Sequence, residues 1–502
     1  MKKIISLLFA LLMILPLAAA CGNPDTPEDT QPGDTSASAD TAEVTEKSLY
    51  DEDGYRLDSL PEKLDFGTDI TTLMWNDYSM KEFYVEEDSG NIIDSAIYSR
   101  NVQVEERLGI KFVWVEAAGS SGTNDEFTTK ADADYKSDHL FDVYATYSRT
   151  PPALALKGYC ANLLSTKYFD IEKPWWPEAL TKECTIKNKL YFASGDISTN
   201  LLWMMIATFY NRALFENYRD NPLFAKTPEQ LVKENAWTME TMFGMCKDIY
   251  VDTDASNSRS AGDTFGMVIF ETNIDAFQTA AGITSVSKTA DGGITISDDF
   301  KGQRALEACE LTGNFLSSTG CYHTNSTSVR NVFFEERAVF ITDRCFIVAG
   351  KDNAGSTKKI EFAYGIVPQP KFNADQENFG TNMGHPFTMY AVSSASHDIE
   401  ASAAMLEAMG SASYRMVTPA VFETTMKVRY ADGAEVAEMY DIIRNNVSFD
   451  IGRLYAEAFG NSTANLFRTS ALSNPAGYAT NLKTKTAVFN KGIETVMAAF
   501  EG

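Results

Sequence analysis

The sequence runs to 502 residues with 69 acidic and 43 basic side chains, a formal charge of −26 and a hydrophobic fraction of 44%. That excess of negative charge argues against nucleic acid or an anionic membrane surface as a partner, while the apolar content suffices for two domain cores. Of the seven cysteines, Cys21 stands apart; Cys160, Cys184, Cys246, Cys309, Cys321 and Cys345 are scattered through a chain too large to need staples, with Cys309 and Cys321 the pair best placed for a bridge.

Lys2 and Lys3 open the chain with positive charge, residues 4–17 form an apolar run too short to span a bilayer and stay there, and Ala18, Ala19 and Ala20 lead into Cys21. This order reads as an export signal over residues 1–20. Small residues ahead of a cysteine resemble the lipobox of bacterial lipoproteins; Ala18 fills the position where a lipobox usually carries leucine, and Leu17 stands one residue earlier. The resemblance implies that Cys21 is acylated and anchors the mature chain. Residues 22–48 offer almost nothing apolar to bury and carry Pro24, Pro27 and Pro32 among many carboxylates, so 21–65 is expected to be a disordered, self-repelling tether. No later apolar run reaches spanning length, and the expected location is the extracellular face of the cell membrane, held by the lipid alone.

From residue 66 the composition turns globular. Residues 70–75 (ITTLMW) read as a buried strand, Ile93, Ile97, Val104 and Leu108 share one helical face, and Gly109 stands where a helix C-terminus favours glycine. Strands at 110–115 and 141–145 follow, the second after another helical stretch, giving an alternation that predicts an open α/β sheet with its ligand site at the carboxyl ends of the strands. Residues 75–78 fall at one such end and 147–149 at another. Further strands are predicted at 190–193, 204–210, 338–341 and 387–392, and helices at 213–218, 399–409 and 434–443, with Thr238 suited to cap a helix opened at Trp237.

Enzyme signatures are missing. There is no G-x-S-x-G elbow, no phosphate-binding G-x-x-x-x-G-K-[ST] and no H-E-x-x-H, and the four histidines are dispersed. Residues 104–110 (VEERLGI), 141–144 (FDVY), 189–196 (KLYFASGD), 209–215 (FYNRALF), 333–340 (FFEERAVF) and 367–371 (VPQPK), in that order behind a lipobox and tether, resemble the family 1 extracellular solute-binding proteins of ABC-type carbohydrate importers. The resemblance implies a two-lobed periplasmic-binding-protein-like fold of type II with an interlobe ligand cleft, in which 66–197 plus 386–430 make the N-lobe and 198–385 plus 431–502 the C-lobe. It also implies a monomeric, non-enzymatic receptor without cofactor that captures a carbohydrate, an oligosaccharide by expectation, and delivers it to ABC permease subunits. The alternatives are a secreted carbohydrate-processing lipoprotein and a sensory receptor on the same fold.

A sugar presents a flat apolar face and a rim of hydroxyls, which calls for aromatic platforms and planar polar groups in fixed positions. Strand ends and position in the family pattern make Trp75, Asp77, Tyr147 and Arg149 ligand candidates on the N-lobe, and the resemblance alone implies Trp203, Asp343 and Arg344 on the other. Trp175 and Trp176 read as pins for a loop, and Trp114 and Trp237 as core. Residues 252–263 (DTDASNSRSAGD) carry oxygen side chains at the spacing of a calcium loop, with Asp252, Asp254, Ser256 and Asp263 as weak metal candidates; Asn257 replaces the usual glycine and Asp263 the usual glutamate, and a solvated polar loop is the expected reading.

Overall fold

Twelve strands occur among the described residues of the computed structural model: β1 (Thr68–Trp75), β2 (Ile110–Ala117), β3 (Val143–Tyr147), β4 (Ile206–Asn211), β5 (Tyr250–Val251), β6 (Thr264–Phe270), β7 (Val286–Lys288), β8 (Ile294–Ile296), β9 (Cys321–Thr324), β10 (Ala338–Arg344), β11 (Tyr364–Val367) and β12 (Thr388–Val392). The structure describes residues 49–76, 82–350, 358–431 and 433–501, and Cys21 and Asp77 lie outside them. One sheet has the order β12-β3-β1-β2, and a second has the order β11-β4-β10-β6-β5 with β9 also beside β6. β7 and β8 form a separate hairpin.

In the first sheet β1 pairs in parallel with β2, Thr68 opposite Ile110 through to Trp75 opposite Ala117, and with β3 on its other side. The helix Ile92–Leu108 makes the crossover between β1 and β2. Its N-cap Asn91 accepts from the amides of Ile93 and Asp94, and it stops at Gly109, which takes the left-handed φ of 62° that a side chain would resist. Parallel pairing requires such crossovers and buries both faces, so β3 is buried along its whole length. β12 returns antiparallel beside β3, Thr388 opposite Tyr147. The carboxyl ends of β1 and β3 and the start of β12 therefore lie together.

In the second sheet β4, paired antiparallel on both sides with β10 and β11, is buried from end to end. Trp237, read as core, is fully buried with its indole N–H donating to the Pro368 carbonyl at 2.8 Å, and Thr238 caps the next helix by accepting from the Thr241 amide. Trp114 differs from its core reading. It is partly exposed and stacks on Phe112 and Tyr84 at 5.1 and 6.0 Å.

Two further expectations change. Segment 190–193 meets the first sheet only at Ala193, opposite Tyr390, because the chain then turns away through Gly195, and the Asp196 amide is taken by the Trp175 carbonyl. The six described cysteines are all free and buried, so Cys309 and Cys321 form no bridge. Cys309 faces the Phe467 carbonyl from within the helix Gln303–Leu316, whereas Cys321 opens β9. Burial pushes both thiols up to about 12, which leaves them protonated and inert. Trp175 and Trp176 pin their loop as expected, Trp176 donating at 2.9 Å to Glu407 of the helix Ile399–Ala412. Among the described residues no helix is long and apolar enough to cross a membrane.

Candidate functional site

The carboxyl ends of the two sheets meet around His385. β3 ends at Tyr147, whose ring centroid lies 6.2 Å from the His385 ring and 6.0 Å from Trp75, and the next residue, Ser148, donates its hydroxyl to the His385 carbonyl at 2.7 Å. From the second sheet β10 ends at Arg344, which packs so closely on Gly384 that a Cβ there would come within 2.5 Å of the Arg344 Cδ. The Nη1 of Arg344 lies 3.9 Å from the Met204 sulfur just ahead of β4. Arg453 completes the approach with its Nη2 at 3.4 Å from the His385 Nε2. A guanidinium can only donate, so this Nε2 accepts and the imidazole is neutral. Burial, then Arg453, Arg149, Arg468 and Arg344 in turn, hold its pKa well below the usual histidine range.

Two carboxylates anchor the arginines. Asp275 accepts from Arg468 at 2.7 Å and Arg453 at 3.1 Å. Asp343, fully buried, holds Arg330 at 2.5 Å, the Asn273 amide at 3.0 Å and the Arg344 main-chain N–H at 2.8 Å. Burial alone would raise the Asp343 pKa, but the Arg330 and Arg344 guanidiniums outweigh it and keep the carboxyl below its ordinary value. Arg330 and Arg344 both lie over the Phe346 ring at 4.9 Å, which fixes the plane of each fork. For Tyr147, burial raises the phenol pKa and the neighbouring Arg149, Arg344 and Arg453 only partly oppose it.

The structure thus brings Tyr147, Arg149, Asp343 and Arg344 into one neighbourhood. Trp75 stands behind Tyr147 at 1% exposure, its indole N–H bonded to the Thr388 hydroxyl at 2.8 Å, and it also borders a hollow of about 480 Å3 with Phe83, Tyr84 and Glu116. Trp203 stands apart, buried against Tyr430 at 6.4 Å. His385, Arg453 and Arg468 were not singled out by the sequence, since no local pattern links three residues on three different elements. Beside His385 and Arg453 lies a cavity of about 150 Å3, walled also by Asn382, Met383, Phe387 and Asp450. A larger surface hollow of about 880 Å3 lies between segment 171–185, which includes the helix Glu178–Cys184, and segment 284–288, which includes β7, and the arginine neighbourhood does not line it.

In loop 252–263 the carboxylates of Asp252, Asp254 and Asp263 gather with oxygen atoms within 4.8 Å of one another. Their oxygens already accept backbone amides of the same loop: Ser256 and Asn257 donate to Asp252, Ser256 also to Asp254, and Thr253 and Ser260 to Asp263. Ser256 turns its hydroxyl to the Ser258 carbonyl. The loop's own amides thus take up part of the accepting capacity of these carboxylates.

The sequence matches no protein-family model and no curated protein. Solved structures do resemble it. The maltose-binding protein MalE of Listeria monocytogenes, in complex with maltose, superposes with a TM-score of 0.53 at 15% identity over 85% of this chain and 98% of its own. The GacH receptor of Streptomyces glaucescens, solved unliganded and with acarbose, gives 0.53 at 14% over 85% and 99%. UgpB of Mycobacterium tuberculosis, in complex with glycerophosphocholine, gives 0.51 at 13% over 84% and 98%. At such identities the likeness is one of architecture: the chain has the two-lobed α/β fold of maltose-binding protein and its structural relatives.

Proposed function

We propose that this protein is an extracellular substrate-binding receptor that captures a carbohydrate between two lobes and presents it to an ABC permease. The observation that carries the reading is the meeting of the two sheets' carboxyl ends at Tyr147, His385, Arg149 and Arg344, where an aromatic ring and planar polar groups from both sheets face one region. The N-lobe is taken as 66–197 plus 386–430 and the C-lobe as 198–385 plus 431–502, with passages between them ahead of β4 and ahead of β12. A ligand touching both lobes favours the closed arrangement by its differential affinity, and the permease reads that arrangement. The carboxylates nearest the site, Asp275 and Asp343, are tied to guanidiniums, which suits binding better than proton transfer. Solved proteins of this fold with maltose or acarbose bound support a carbohydrate ligand.

The test is a thermal-unfolding screen of the detergent-purified full chain against neutral and acidic oligosaccharides. A specific ligand at about 100 times its Kd stabilises by ~2.7 kcal/mol, which shifts the midpoint by a few degrees. Turnover of an oligosaccharide instead of stoichiometric binding would replace the receptor by a processing enzyme.

The same reading places the protein at the membrane through a lipid on Cys21. Cys21→Ser is expected to leave the chain soluble or unprocessed; recovery of this variant in the membrane fraction at the mass of the unaltered protein would refute the anchor.

A further inference from the structure

The hairpin of β7 and β8 joins a segment that belongs with the first sheet to a helix that belongs with the second. Segment 182–187 runs on to Ala193, which bridges to Tyr390 of β12, whereas the hairpin leads into the helix Gln303–Leu316, which packs on β9. Lys288, the last residue of β7, donates its ammonium to the Thr185 carbonyl at 2.6 Å and to the Lys182 carbonyl. It thus caps the C-terminus of the helix Glu178–Cys184 with a cation. At the hairpin's turn the Lys187 amide donates to the Gly292 carbonyl at 3.2 Å, and its ammonium to the Asp291 carbonyl and carboxylate at 2.7 and 3.0 Å. Two lysines, one from each side, close a clip across the division between the lobes.

Glu183 stands between the two carbonyls that hold Lys288. It is half-buried and lines the hollow of about 880 Å3 together with Lys182 and Lys288. The charges around it are unevenly placed. On its own helix Lys182 is paired with Glu178, and on the loop ahead Lys173 is paired with Asp170 at 3.6 Å, with Glu172 exposed next to it. Lys288 has two of its three N–H groups engaged by carbonyls. At the start of β7 the buried Asp450 accepts from the Ser285 amide at 2.6 Å and hydroxyl at 2.8 Å, and from the Gly452 amide at 2.8 Å. Burial and the Asp450 charge push the Glu183 carboxyl up to about 7, and Lys288 opposes them only in part. Burial likewise raises Asp450, against its hydrogen bonds and Arg453, and lowers Lys288. A carboxylate formed at Glu183 therefore meets a buried anion at one end of β7 and a cation already engaged at the other.

We propose that this clip is a proton-controlled latch between the lobes, shut while Glu183 is neutral and loosened when Glu183 ionises beside Asp450. The proposal rests on the lobe division of the receptor reading and adds a control to it. Ligand enters and leaves a two-lobed receptor through its open arrangement, so the latch sets how readily that arrangement forms. A carboxyl raised in the clip, and back at its ordinary 4.5 when the clip opens, stabilises the shut latch fully below about pH 4.5. That contribution fades as pH rises and is gone above about pH 7.

The experiment is hydrogen–deuterium exchange of the full chain in detergent between about pH 4.5 and 8, corrected for intrinsic rates and read on segments 182–189 and 286–296. Protection of both segments in the unaltered chain should fall roughly 10- to 100-fold up to about pH 7 and then level off, while β1 and β4 hold theirs. Glu183→Gln should keep the shut-latch protection at every pH. Lys288→Met should expose both segments at every pH. Small-angle neutron scattering in contrast-matched detergent should give a larger radius of gyration at about pH 8 than at about pH 5 for the unaltered chain, and no such change for Glu183→Gln. Protection independent of pH in the unaltered chain would overturn the proposal even if a variant misfolds, and so would a decline that persists in Glu183→Gln. Loss of clip protection at an unchanged radius would confine the effect to the hairpin and overturn the interlobe latch. Neither readout uses a glycan, so a failed latch leaves the receptor reading standing, and a glycan screen without a hit leaves the latch standing.

Discussion

Glu82→Ala is expected to destabilise the fold by ~3–5 kcal/mol, read as a lower denaturation midpoint with unchanged cooperativity. Glu82 is fully buried and its carboxylate accepts from the Ser198 hydroxyl at 3.1 Å, the Asn200 amide at 3.0 Å, the Asn200 side chain at 2.9 Å and the Thr388 hydroxyl. Thr388 in turn accepts from the Trp75 indole, and Arg100, also fully buried, donates to the main-chain carbonyls of Glu82 and Phe83 at 2.9 and 2.8 Å. One side chain thus ties the ends of β1 and β12 to residues 198–200, on the passage toward the second sheet. Truncation to alanine strands four donors in the interior and leaves the Arg100 cation without a nearby anion.

Glu82→Gln keeps the shape and one acceptor, so its loss should be much smaller. Burial raises the Glu82 pKa above its ordinary 4.5 even though Thr388, Asn200, Ser198 and Arg100 pull it down. A carboxyl raised in the fold contributes stability that is complete below about pH 4.5 and fades as pH rises through its folded value. Glu82→Gln should therefore flatten the decline in stability on that alkaline side. Equal midpoints for the alanine variant and the unaltered chain would show that the knot carries no energy.

Arg100 also shows what could be read from the sequence and was not. Ile97, Val104 and Leu108 mark the buried stripe of the helix Ile92–Leu108, and Arg100 falls on the same stripe at helical spacing. A cation in that register signals a buried partner, here two carbonyls and the Ser413 hydroxyl. The alternation of strands and helices along the chain, the Gly109 stop and the Thr238 cap were legible because they depend on near neighbours along the chain. Tyr147 and Arg149 were legible as strand-end residues, and Arg344 only through the family resemblance. His385, Arg453 and Arg468 became neighbours only through tertiary folding, and Asp275, which holds two of them, lies 178 positions before Arg453 in a sequence with 69 carboxylates to choose from. Segment 190–193 has strand composition, yet the turn at Gly195 leaves it a single bridge, a decision made by packing on Trp175.

Trp75→Ala should act first on stability, costing ~3–5 kcal/mol. The sequence reading makes Trp75 a stacking platform for a sugar ring, whereas the structure leaves only 1% of it exposed, with its N–H committed to Thr388 and its ring 6.0 Å from Tyr147 in an edge-on arrangement at 61°. A ring so covered contributes by filling volume and by holding Tyr147 against His385. Alanine removes the indole, the Thr388 bond and the support behind Tyr147 together. Trp75→Phe restores most of the volume and loses only the hydrogen bond, so about 1 kcal/mol is expected for it. Unfolding midpoints and sugar affinity per folded molecule, measured on both variants, separate the roles. A lower midpoint with affinity nearly retained places Trp75 in the core supporting the site, and an unchanged midpoint with affinity reduced by roughly 5- to 150-fold would place its face on the sugar.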